Sequence, residues 1–254
     1  MVLVDRFCEP NNYNHHFAPP LNGYIYQDIL PVNLISVLKK QMIQILDNAD
    51  KTTFYTNATI IYDGDKKYKT GTNRTNNRYQ NVIYDTTFLP DYWFQTKESI
   101  YDWTYNYINK NISPVFLRYI QIMNSLEPFN GKEYVPYRLH LNYLPSDIGL
   151  TIHLDSSRLL FTTSLEEARL ISLTYYLEDH IEGTGGELYS VNGFVYKPKA
   201  NTAIGINGGQ TLHGVTQNVS DHSRLAFTTR WAHIDDLFLP GHPDKHLYKI
   251  DTYD

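Results

Sequence analysis

Arg224-Leu-Ala-Phe-Thr-Thr-Arg-Trp231 alternates polar or small residues with large apolar ones, the period-2 pattern of a strand with two unlike faces. Arg224, Ala226, Thr228 and Arg230 share one face, while Leu225, Phe227 and Trp231 share the other and turn towards a core. Further runs rich in Leu, Ile, Val, Tyr and Thr precede it at 137–143, 150–153, 170–177, 187–191, 194–197, 202–206 and 212–217. Gly, Pro, Asn and Asp separate them. Eight short strands at near-regular spacing point to a double-sheet antiparallel jelly roll.

The residues before this region read differently. Between 31 and 48, Leu34, Ile35, Leu38, Met42, Ile45 and Leu46 recur at helical spacing, as do Ile100, Trp103, Tyr107 and Ile108 between 97 and 111. Ser113-Pro114 supplies an N-cap and a first-turn proline for another helix, with Phe116, Tyr119, Ile122 and Met123 on its buried face. Residues 54–95 read as strands around a long exposed basic loop at 66–81. The expected fold is therefore α+β and mainly β: a double-stranded β-helix (jelly roll, cupin-like) with N-terminal helices packed against one sheet. A single domain is expected over 1–254, with an N-terminal extension at 1–132, the β core at 133–236 and a C-terminal tail at 237–254.

Composition bounds what such a chain does. With 254 residues, 42% hydrophobic and 19% charged, it is long enough for a real core and is no disordered or collagen-like chain. A net charge of -5 argues against a protein whose main task is gripping nucleic-acid phosphates. Cys8 is the only cysteine, so an intramolecular disulfide or a cysteine-built metal site is excluded and any metal must use His and carboxylates. The first residues show no basic stretch followed by an apolar run, and no window approaches a membrane span, so a cytoplasmic protein with no membrane partner is expected.

Such a His/carboxylate set is present. His153-Leu154-Asp155 places an imidazole and a carboxylate two residues apart at a strand end, on one side, and His213 returns on a later strand. Two His and one carboxylate on one face of a metal leave the other positions open, as non-haem Fe(II) oxygenases require. His-x-Asp alone is a weak motif in a chain with ten His, and His233-x-Asp235 and His242-x-Asp244 repeat it. Neither of those is followed by a His that can return on another strand. Arg224, after His213, either pairs with Asp221 at the surface or grips a dicarboxylate bidentately, with Thr228 on the same face to share it.

These elements together resemble the Fe(II)/2-oxoglutarate-dependent dioxygenases, in their prolyl-hydroxylase-like branch. The resemblance covers about residues 137–233 and rests on Tyr143 before His153, Arg169-Leu-Ile-Ser-Leu-Thr-Tyr-Tyr-Leu177, Gly185-Gly-Glu-Leu188, Lys197-Pro-Lys-Ala-Asn201, His213-Gly-Val215 and Arg224-Leu-Ala-Phe-Thr228. It implies a jelly-roll enzyme in which His153, Asp155 and His213 bind Fe(II) and are catalytic. Arg224, Tyr176 and Thr228 would hold the far carboxylate of 2-oxoglutarate, and Tyr143 would sit beside its keto-acid end. O2 would be co-substrate and ascorbate a reductant, with a peptide, protein or small molecule as prime substrate. Whether Tyr175 or Tyr176 faces the co-substrate stays open, although alternation groups Tyr176 with Thr174.

The sequence departs from the family at Arg230, where an aromatic residue often stands. An inward guanidinium there either contacts an anionic substrate group or pairs with a nearby Asp or Glu. The stretch around Arg74-Thr75-Asn76 either is a solvated basic hairpin or, as it resembles the substrate-covering loop of some prolyl hydroxylases, makes Arg74 a candidate substrate contact. Hydroxylation of a prolyl residue, peptidyl or free, is the expected reaction. The alternatives are the same cofactor chemistry on another small acid or side chain, and a non-catalytic jelly-roll module.

Overall fold

The computed structural model describes residues 13–48, the strand backbones between 59 and 87, parts of 98–108 and, with short gaps, 113–155 and 169–236. Fifteen strands and two α-helices are used here: β1 (Asn14–Ala18), β2 (Gly23–Gln27), α1 (Val32–Asn48), β3 (Thr59–Asp63), β4 (Lys66–Thr70), β5 (Thr72–Asn73), β6 (Arg78–Tyr79), β7 (Val82–Thr87), α2 (Pro114–Met123), β8 (Tyr134–Leu144), β9 (Leu150–His153), β10 (Leu170–Tyr176), β11 (Leu188–Ser190), β12 (Val195–Tyr196), β13 (Thr202–Asn207), β14 (His213–Val215) and β15 (Arg224–His233). The larger sheet runs β1-β2-β13-β10-β15-β8-β7 and the smaller β12-β11-β14-β9. From β8 to β15, the chain deals β8, β10, β13 and β15 to one sheet and β9, β11, β12 and β14 to the other. That strand order is a jelly roll, and each run expected to be a strand coincides with one of these elements. No helix among the described residues is long and apolar enough to cross a membrane.

Alternation along the strands builds a core on each side of the larger sheet. Leu139 and Leu141 of β8, Leu173 and Tyr175 of β10, Ala203 of β13, and Leu225, Phe227 and Trp231 of β15 meet Leu38 and Met42 of α1 and Phe116, Tyr119, Ile120 and Met123 of α2. On the other face Ile25, Tyr176, Ile204, Ile206 and Ala226 meet Leu188 of the smaller sheet. Helix α2 begins as its sequence dictates: Pro114 takes the first turn and the Ser113 hydroxyl accepts from the Phe116 N–H at 3.5 Å. Phe227 is fully buried, with its ring 5.3 Å from that of Phe116 and 5.4 Å from that of Tyr119. Phe227→Ala should cost about 3–5 kcal/mol and lower the melting temperature by roughly 10 °C, which circular dichroism on heating measures.

Two segments differ from expectation. A hairpin, β1–β2, was not foreseen, although Gly23-Tyr-Ile-Tyr-Gln27 carries an alternating pattern after Pro19-Pro-Leu-Asn-Gly23, a turn signal. Asn22 adopts the left-handed conformation at the turn (φ 46°), and β2 pairs with β13 in register from Gly23–Ile206 to Gln27–Thr202. A Cβ on Gly23 would lie 1.9 Å from the Gly205 carbonyl oxygen, so glycine is required at this approach. The 66–81 stretch, expected as an exposed loop or a solvated basic hairpin, contains strands: β4, which pairs with β3, and β5, which pairs with β6. Backbone pairing does not require apolar side chains, so a hydropathy reading misses it. Arg74 lies outside the described residues, as do most of the positions expected to form the 97–111 helix; Ile100 and Ile108 are described and buried.

Candidate metal and anion site

Strand pairing brings the two imidazoles together. His153 ends β9 and sits directly opposite His213 of β14, with ring centroids 4.5 Å apart. Asp155 lies just past the end of β9, buried, with Oδ1 3.4 Å from His153 Nε2 and Oδ2 3.5 Å from His213 Nε2. One ligand-type atom from each residue lies within 4.8 Å of the others, the one such His/Asp/Glu/Cys group among the described residues.

Neighbouring groups fix the orientation and charge of these side chains. His213 Nδ1 lies 2.8 Å from the Thr211 carbonyl oxygen, so Nδ1 carries the proton and Nε2 keeps a lone pair facing the cluster. Thr211 is itself tied to the first hairpin, donating from its hydroxyl to the Leu21 carbonyl at 2.8 Å. Burial pushes the His213 pKa down, with Asp155 opposing the shift, which favours the neutral imidazole a metal binds. For Asp155, burial opposes ionisation, but its neighbours, the Arg230 guanidinium foremost, outweigh it and hold the carboxyl well below its usual range. A Cβ on Gly208 would lie 2.8 Å from Asp155 Cβ, so glycine is required where this backbone passes the Asp155 side chain.

The cluster opens into a cleft of about 720 Å3, part of it open to solvent, lying between the two sheets. Leu144, Leu150, Leu188, Val215 and Ala226 give it apolar walls, and Arg224 also lines it. Arg224 Nη1 is buried with no hydrogen-bond partner, and the guanidinium carbon lies 5.4 Å from the centre of the Tyr176 ring. Burial lowers the Arg224 pKa, while Tyr176 and Glu187 support its charge. Gly186, with φ +79°, makes room for it: a Cβ there would stand 2.9 Å from Arg224 Nη1. A buried guanidinium nitrogen with no acceptor is costly unless an anion meets it.

The other expected residues fall as follows. Tyr176 lines the cleft, its hydroxyl pKa pushed up to about 12 by burial, whereas Tyr175 points to the helix side and donates to Asn201 Oδ1 at 2.9 Å. Thr228 lines the cleft and is held by Asn142 Nδ2 at 2.7 Å and Thr174 Oγ1 at 3.0 Å. Tyr143 pairs with Leu225 in the backbone register, one step out of phase with the His140, Asn142 and Leu144 positions that β8 contributes to the cleft. The Tyr143 side chain lies outside the described residues. Arg230 also lines the cleft, and its Nη2 donates to Asp155 Oδ1 at 3.1 Å. Sequence reasoning did not single out His140, Asn142 or Thr174 as cleft residues; strand alternation names them once the β8–β15 register is known.

No protein-family model matches the chain, and no curated protein matches it. Solved structures similar to it include a Pseudomonas putida prolyl-4-hydroxylase (14% identity, 87% of each chain covered, TM-score 0.46). A prolyl 4-hydroxylase from Phytophthora capsici is similar at 15% identity, over 84% of this chain and 59% of that one, with TM-score 0.46. The viral collagen prolyl hydroxylase of Paramecium Bursaria Chlorella virus-1, as its 2OG complex, shares 16% identity over 87% of this chain and 95% of that one, with TM-score 0.38.

Proposed function

We propose that the protein is an Fe(II)- and 2-oxoglutarate-dependent oxygenase that hydroxylates an unactivated C–H bond, with a prolyl residue, peptidyl or free, as its substrate. The observation that carries this reading is one cleft lined both by a His153/Asp155/His213 cluster and by Arg224, whose buried Nη1 has no hydrogen-bond partner. Two imidazoles and one carboxylate suit a divalent metal that must keep positions open for co-substrates. Arg224 suits the far carboxylate of a dicarboxylate, as a bidentate, charge-assisted partner.

The residues then divide the work. Bound Fe(II), 2-oxoglutarate and O2 supply the oxidising power, the co-substrate leaving as succinate and CO2, with ascorbate as a reductant. His153, Asp155 and His213 hold the metal and leave one side open. The apolar walls around Arg224 exclude water from the carboxylate contact and so strengthen it. Tyr176 and Thr228 fix where that carboxylate lies, and Asn142 and Thr174 fix Thr228.

The test is anaerobic against aerobic incubation with Fe(II), ascorbate, 2-oxoglutarate and a proline-rich peptide. The expected result is O2-dependent succinate formation and a peptide mass gain of one oxygen atom. Succinate without the mass gain would remove the prolyl assignment. No succinate from folded, metal-loaded protein, with this peptide or free proline, would remove the oxygenase.

A further inference from the structure

Asp155 is held differently from its two neighbours. His153 and His213 are fixed by the pairing of β9 with β14, both strands of the smaller sheet. Asp155 lies beyond the end of β9, where the chain is no longer in a ladder, so backbone pairing does not set its carboxylate. A charge-assisted contact on that carboxylate comes from the opposite sheet: Arg230, in β15, is 2% exposed and donates from Nη2 to Oδ1 at 3.1 Å. Gly208 packs against Asp155 at its Cβ, and Ser172 is the cross-strand partner of Arg230.

We infer that Arg230 is a positioning residue for the metal ligand Asp155, tying the carboxylate to the larger sheet so that the three ligands stand assembled before a metal arrives. Of the two expectations for Arg230, contact with an anionic substrate group or pairing with a nearby Asp or Glu, this is the second, with Asp155 as the partner. It rests on the reading of His153, Asp155 and His213 as metal ligands, but not on the identity of the co-substrate. Groups that orient a ligating side chain typically govern metal affinity by about 10–100-fold, because an unoriented ligand must be ordered at the moment of binding. Arg230 also adds a positive charge near the metal, which by itself would weaken cation binding; the inference is that orientation outweighs repulsion.

The experiment is a Mn(II) titration of the full chain followed by the electron paramagnetic resonance signal of the free ion. Arg230→Met keeps the aliphatic stem and removes the donor, and is expected to weaken Mn(II) binding at least about tenfold. Arg230→Lys keeps a donor and the charge, and is expected to stay within about threefold of wild type. Where Arg230→Met fails to fold, Arg230→Gln, too short to reach Asp155, replaces it with the same expected loss. Equal or tighter binding by the Met or Gln variant would overturn the inference, and so would a Lys variant as weak as Met. Wild-type protein that binds Mn(II) but consumes no 2-oxoglutarate would overturn the proposed function and leave the inference standing. Wild-type protein that binds no Mn(II) would overturn both.

Discussion

Replacing His213 by Ala is expected to reduce 2-oxoglutarate consumption to the uncatalysed background. His213 is one of three side chains whose ligand atoms converge, and its Nε2 is kept unprotonated by the Nδ1 contact to the Thr211 carbonyl. Two remaining ligands bind a divalent ion far more weakly, so the loss should exceed the roughly 10–100-fold typical when only a supporting group is removed. The fold should survive, since the larger hydrophobic cluster, between the larger sheet and the helices, does not include this residue. Succinate release under saturating Fe(II) measures the first effect, and circular dichroism the second. A His213→Ala protein with more than a few per cent of wild-type turnover would remove His213 from the metal site.

The second large effect is expected at Arg224. Arg224→Met deletes a charge-assisted contact worth about 1.5–3 kcal/mol, so the apparent KM for 2-oxoglutarate should rise on the order of 10–100-fold. Without the co-substrate the same change should do the reverse to stability. Arg224 Nη1 is buried without a hydrogen-bond partner, and burial already lowers the pKa of the guanidinium, so an apolar side chain of similar length removes an unfavourable charge. The expected pair of results is weaker 2-oxoglutarate binding and an equal or higher melting temperature. If Arg224 were only a structural ion, Arg224→Met would lower the melting temperature and leave the KM unchanged.

Much of this arrangement was legible in the sequence because its strands have unlike faces. In 224–231, polar residues alternate with Leu225, Phe227 and Trp231, so the division between cleft and helix-side core can be read directly. In β10 both faces are buried, so hydropathy leaves Tyr175 and Tyr176 open. Their assignment comes from cross-strand neighbours: Tyr176 pairs with Ala226 on the cleft face and Tyr175 with Phe227 on the helix face. The convergence of His153 with His213 followed from His-x-Asp on one strand and a returning His on another. The partner of Arg230 did not, because Asp155 follows a strand of the other sheet and only tertiary structure brings the two together. β1 was hidden for a simpler reason: Asn14-His-His-Phe-Ala18 is an edge strand, exposed at every position but Ala18, with no apolar alternation to detect.

The central claim is that one cleft holds a metal at His153, Asp155 and His213 and a 2-oxo acid between that metal and Arg224. Anaerobic addition of Fe(II) and then 2-oxoglutarate to the purified protein tests it most directly, by visible absorption. The account predicts a charge-transfer band that requires both additions, is lost in His153→Ala, and needs a higher 2-oxoglutarate concentration in Arg224→Met. A folded protein that binds Fe(II) and shows no such band at any 2-oxoglutarate concentration would contradict it.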